Sequence, residues 1–174
     1  GEARSDARSD ARIRVLIIDG FSNHDWRATT QIILSLLKQD KDLIAEVSTV
    51  PAEGTVDWEA WLPRFEDYDV VIQNTNDLGG ENSWPINVRT AFEEYMFKGG
   101  GMLVFHSANN AFPDWKEYDK MIGLGWRDRN SGKAIVIENG EPVIIPKGQG
   151  GNTRHGRRVS VLVTRLGEHP IHKG

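Results

Sequence analysis

The sequence predicts an α/β fold: a flavodoxin-like, doubly wound, mostly parallel sheet with helices on both faces and a β-rich C-terminal extension. Three observations carry this. Short apolar runs alternate with segments of helical periodicity between residues 13 and 123. The runs are strand-length and almost continuously apolar, as strands covered on both faces are. Strand, crossover helix and strand in that order make parallel, right-handed units, and beyond residue 123 the pattern turns to strands around a hairpin signal.

The first run, Ile13-Arg14-Val15-Leu16-Ile17-Ile18-Asp19, closes at Gly20. A polar loop from Phe21 to Asp25 leads into a helix in which Ala28, Ile32, Ile33, Leu36 and Leu37 share helical spacing, with Asp25 as N-cap. A second strand is expected over Ile44 to Val50. Trp58, Trp61, Leu62 and Phe65 stand at i, i+3, i+4 and i+7, which predicts one amphipathic helix with its tryptophans in the core. Asp69 to Asn74 reads as a third strand, followed by a Gly- and Asn-rich loop through Gly79 and Gly80 to Trp84-Pro85. Val88, Ala91, Phe92, Tyr95 and Met96 mark a helix that Gly99-Gly100-Gly101 ends. Met102 to Phe105 is a fourth strand, running straight into His106. Trp115, Tyr118, Met121 and Ile122 predict a helix stopped by Gly123. Lys133 to Glu138 and Pro142 to Pro146 flank Asn139-Gly140, a hairpin signal, and Val159 to Thr164 reads as a further strand. The expected sheet has five parallel or mixed strands.

At 174 residues the chain fits one domain, able to bury roughly two-thirds of its unfolded surface. Residues 1–11, with the repeated triplet Arg-Ser-Asp, read as a mobile arm, and 12–174 as one α/β domain truncated at its C-terminus. The arm is either the mature end left by a signal peptide, which slightly favours a periplasmic or secreted protein, or a cloning scar. The net charge of −4 argues against a nucleic-acid partner, and Arg154, Arg157 and Arg158 are too few to reverse that. No apolar run is long enough to span a membrane. With no cysteine, thiol nucleophiles, disulfides and thiolate metal sites are excluded. Homo-oligomerisation is open.

In open α/β sheets ligands bind beyond the carboxyl ends of the strands, where strand order reverses. Three loops converge there. They carry Asp19, Asn23, His24 and Asp25 after strand one; Asn74, Asn76 and Asp77 after strand three; and His106, Ser107, Asn109 and Asn110 after strand four. His106 and His24 are the candidate catalytic residues, because imidazole titrates near neutral pH and serves as acid or base. Asn23, Asn76, Asp77, Asn109 and Asn110 are the candidate substrate-binding groups, together with His155 in a Gly-rich loop able to fold over the cleft. Trp26, Trp84 and Trp115 are candidates to stack on a ligand or to sit in the core or rim. His169 and His172 are expected to be structural or outside the cleft.

Two imidazoles with Asp25 or Asp77 have the composition of a divalent-metal site, though no local ligand spacing supports one. Ser107 follows a strand as a nucleophile elbow would, yet Phe105-His106-Ser107-Ala108-Asn109 lacks both glycines of G-x-S-x-G. Gly99-Gly100-Gly101 precedes a strand rather than following one, and Gly148-Gln149-Gly150-Gly151 opens no helix, so neither is a phosphate loop.

Val15 to Trp26, Gly99-Gly100-Gly101-Met102-Leu103-Val104-Phe105-His106-Ser107-Ala108 and Gly167-Glu168-His169-Pro170-Ile171 resemble the ThuA-like, or trehalose utilisation, family. The resemblance spans nearly all of the chain after residue 12. It implies the fold of class I glutamine amidotransferases, a small-molecule carbohydrate as partner and a role in carbohydrate utilisation, as a sugar-processing enzyme of hydrolase or isomerase type acting on a glycoside or keto-sugar. Amidotransferases carry a cysteine at the elbow after the corresponding strand. Here that place holds Phe105-His106-Ser107, which rules out glutaminase chemistry. A non-catalytic carbohydrate-binding or regulatory module and a metal-dependent hydrolase are the alternatives.

Overall fold

The computed structural model describes residues 11–78, 82–160, 162–165 and 167–172. These fall into two compact units, one up to Gly125 and one from Trp126. Residues 1–10 of the 1–11 arm and the glycines at 79 and 80 lie outside the described residues.

In the first unit, β1 (Ile13–Asp19), β2 (Leu43–Thr49), β3 (Val70–Gln73) and β4 (Gly101–Val104) form one parallel sheet in the order β2-β1-β3-β4. This is the flavodoxin-like order, with the reversal between β1 and β3. Among the described residues four strands take part, not five.

Helices cover both faces, as expected. On one face, α1 (Trp26–Leu37) sets Ile33 onto Val15, Ile17 and Ile72. On the other, α2 (Val56–Ala60), α3 (Ile86–Phe97) and α4 (Lys116–Ile122) enclose an aromatic core of Phe65, Trp84, Phe92, Tyr95, Phe112, Trp115 and Tyr118. Trp84 touches five of these rings or their neighbours, with centroids between 5.4 and 6.3 Å. Burying each large side chain contributes about 1.5–3 kcal/mol, so this cluster dominates the unit's stability. Trp84 and Trp115 therefore serve the core.

Local chemistry sets the element ends. Asp25 caps α1 by accepting from the Ala28 N–H at 3.0 Å. The single helix expected from Trp58 to Phe65 is broken: it stops at Ala60, Trp61 is extended, and Phe65 opens a separate 3-10 turn over Phe65–Asp67. Pro63 explains this, because proline disfavours helical geometry in the residue before it and offers no N–H. Trp58 and Trp61 still pack against the core, the Trp61 indole N–H donating to Ser48 Oγ. On α1 the predicted apolar face is only partly used, since Ile32 and Leu36 are exposed.

The glycine triplet divides its work. Gly99 leaves α3 at φ +87°, in the left-handed region. A Cβ on Gly100 would enter the Tyr95 ring, and one on Gly101 would lie 2.9 Å from the Asp69 carbonyl oxygen. The Tyr95 hydroxyl closes this junction by donating toward the carbonyls of Asp69 and Gly101 at 3.0 and 2.9 Å.

In the second unit, β5 (Ala134–Glu138) and β6 (Glu141–Ile145) pair antiparallel around Asn139 and Gly140, both at positive φ, as a two-residue hairpin requires. No strand forms over 159–160 or 162–164, against expectation; β-branched composition alone does not make a strand without a partner edge. His169 precedes and His172 ends a short 3-10 turn over Pro170–His172, their rings 6.1 Å apart.

Candidate functional site

The carboxyl end of β4 turns sharply. Phe105 donates its N–H to the Gln73 carbonyl at 3.0 Å, and the chain then winds through a 3-10 turn over His106–Asn110. His106 stands at φ +46°. A side chain in the left-handed region costs about 1–2 kcal/mol relative to ordinary helix geometry, and histidine is among the residues that adopt it most readily. Such strain, held by its surroundings, clusters at functional sites and gives the sharp strand-to-helix corner of a nucleophile elbow. His106 occupies the corner itself and is exposed.

The loop after β1 comes to meet it. Gly20, at φ +131°, lies so close to Val50 that a Cβ would sit 2.7 Å from the Val50 carbonyl oxygen. Beyond it, the His24 and His106 rings lie 4.8 Å apart at a 51° tilt. Ser22 Oγ and Ser107 Oγ are 3.4 Å apart. The third loop joins through buried Asn76, whose amide nitrogen donates to Asn23 Oδ1 at 2.8 Å while its Oδ1 accepts from the Leu78 N–H at 3.0 Å. The two predicted catalytic histidines and the Asn23–Asn76 pair thus gather at one corner.

The carboxylates accept hydrogen bonds from within the protein. Asp77 Oδ1 accepts from the Phe112 N–H at 2.7 Å, and Asp25 is the α1 cap. Asp19, 2% exposed, accepts from the hydroxyls of Thr30 at 2.7 Å and Thr49 at 2.6 Å, and Thr30 in turn accepts from the Asn74 amide at 3.2 Å. Among the described residues no group of three His, Asp or Glu side chains is placed to hold a metal ion. Asn109 and Asn110 end the 3-10 turn half-buried, and Asn110 Oδ1 is buried without a hydrogen-bond partner. His155 belongs to the second unit, where its ring lies 4.8 Å from that of Trp126. Trp26 is half-buried beneath the Arg27 guanidinium, which lies 4.1 Å from its ring, and lines a 440 Å³ pocket with Asp19, Thr30 and Thr49.

Sequence reasoning missed Gln73 and Tyr118 as supports of this corner. Fully buried Gln73 donates from Nε2 to the Tyr118 hydroxyl at 3.1 Å, and Tyr118 donates to the Ala108 carbonyl at 2.8 Å. Gln73 Oε1 also takes the Thr75 N–H and, at 3.2 Å, the Thr75 hydroxyl. The signal was present in Val70-Val71-Ile72-Gln73, where an amide ends an otherwise apolar buried strand and must find partners.

The family model for trehalose utilisation, ThuA, matches residues 14–174. The chain belongs to the ThuA family. Among solved structures, a ThuA-like protein from Parabacteroides merdae resembles this ThuA chain with a TM-score of 0.74 and 29% identity, over 84% of this chain and 51% of that one. The chain therefore spans about half the length of that relative. A ThuA-like protein from Bacteroides uniformis aligns at a TM-score of 0.45 and 16% identity, over 83% of this chain and 62% of that one. No curated protein matches the ThuA chain. The family placement accords with the glycine triplet, strand and histidine on which the resemblance rests.

Proposed function

We propose that this ThuA-family chain contributes a carbohydrate-processing site in which His106 and His24 move protons on a glycoside or keto-sugar. The observation that carries the proposal is the ring contact of two exposed imidazoles, one on a left-handed corner at the end of β4. In the proposed reaction one imidazole takes a proton from a sugar hydroxyl, or from the carbon beside a keto group, and the other returns it. The ring that takes the proton does so as neutral imidazole and the ring that gives one does so as imidazolium, two forms that this side chain interchanges close to neutral pH. Asn23, Asn109 and Asn110 supply directional amides for hydroxyl-rich ligands, and buried Asn76 holds Asn23 in place. Asp77 shapes the site through the Phe112 backbone.

Proton transfer by a positioned side chain contributes about 10²–10⁴-fold to rate. The test is turnover of disaccharides, trehalose included, and their keto derivatives by the parent and by His106→Ala. A loss of that size supports the reading, and unchanged turnover of every active substrate overturns it. Saturable sugar binding with no product by NMR would instead make the site a binding module, a reading favoured by the elbow's survival without a thiol.

A further inference from the structure

We propose that Tyr118 and Asp77 are positioning residues for His106, clamping the segment between two left-handed corners from opposite ends. The inference rests on the reading of His106 as a site residue, but its evidence is independent of any sugar.

Two non-glycine residues of this segment have positive φ: His106 at +46° and Phe112 at +56°. Neither conformation is favourable on its own, so the protein around them must impose it. Two side chains from other elements bond to the backbone between and at these corners. Tyr118 of α4 donates to the Ala108 carbonyl at 2.8 Å, two residues after the first corner. Asp77, from the loop after β3, accepts the N–H of Phe112 itself at 2.7 Å. Phe112, Ala108 and Tyr118 are all buried, so water cannot replace either partner cheaply. Gln73 fixes the Tyr118 hydroxyl in turn, and the Tyr118 ring is wedged between Phe112 and Trp115, with centroids 5.1 and 5.4 Å away.

Loss of either clamp leaves the core rings in place and frees the corner. The consequence falls on the His24–His106 contact, since only His106 is carried by the clamped segment. Asn at position 77 keeps an acceptor oxygen for the Phe112 N–H, whereas Ala does not, which separates the bond from the charge.

The experiment is NMR on the histidine-labelled protein: the cross-relaxation peak between the His24 and His106 rings is recorded in the parent and in Tyr118→Phe, Asp77→Ala and Asp77→Asn, beside circular dichroism for folding. The expected result is a peak in the parent and in D77N, and its loss in folded Y118F and D77A. A peak that persists in Y118F or D77A overturns the role of that residue, and persistence in both overturns the clamp. Loss in D77N as complete as in D77A overturns the acceptor role. If Y118F does not fold, the D77A and D77N pair decides. A parent without the peak removes the geometry on which the clamp depends, and none of these outcomes alters the turnover test of His106→Ala.

Discussion

The His24 and His106 rings, carried by the loops after β1 and β4, meet with centroids 4.8 Å apart. Two groups in contact that act on one ligand are energetically coupled. The coupling is expected in kcat/KM: His24→Ala and His106→Ala each lower it, while the double variant falls short of the product of the two losses. A double-mutant cycle on whichever sugar is turned over measures this, with an interaction energy of about 0.5–3 kcal/mol expected. Strict additivity would assign the rings to separate tasks.

The buried carboxylate of Asp19 depends on two threonine hydroxyls. Thr30→Val leaves one Asp19 oxygen without that donor and the Asn74 amide with only its longer contact to the Trp26 carbonyl at 3.5 Å. An expected loss of about 1–3 kcal/mol in urea unfolding follows. Thr49→Val should cost less, because Thr49 is exposed and water can replace it.

Gly100 lies under the Tyr95 ring, where a methyl group has no room. Gly100→Ala is expected to destabilise by about 1–3 kcal/mol through overpacking. Thermal unfolding reads this directly, and the Tyr95 bonds to Asp69 and Gly101 make the junction poorly able to yield.

On the surface, Tyr68 donates to Glu46 Oε2 at 2.7 Å beside Arg14. That hydrogen bond holds the Glu46 carboxyl below its usual range, while burial and then the Glu46 contact push Tyr68 up to about 12. A raised folded pKa gives stability present below about pH 10 and lost as pH rises through about 12. A lowered carboxylate pKa gives stability present above 4.5 and lost as pH falls through the folded value. Tyr68→Phe should therefore be less stable than the parent at pH 7, by no more than about 1 kcal/mol for so exposed a pair. The gap should close below pH 4.5 and above pH 12 in paired denaturation curves.

Strand and helix order through residue 123, the Asp25 cap and the Asn139-Gly140 hairpin were legible because each depends on local chemistry: apolar runs, a side-chain acceptor, two residues tolerant of positive φ. The Trp58–Phe65 helix misled because its spacing is helical while Pro63 forbids the turn. The loops that converge were legible from topology, which is why His24 and His106 were expected together at one corner. The job of Asp77 was not, since a carboxylate beside ligand-type amides looks the same whether it faces a sugar or a backbone N–H 35 residues away in sequence. Tyr118 reads as core by spacing and is core by burial; only its hydroxyl, bonded to Ala108, ties it to the site.

The central claim is that carbohydrate is handled at the His106 corner. Its most direct measurement is a titration of the protein with trehalose, other disaccharides and their keto derivatives, followed by the imidazole resonances of the five histidines. Saturable shifts of His106 and His24, abolished in His106→Ala, are the predicted result. Sugar binding that leaves both rings unmoved would contradict it.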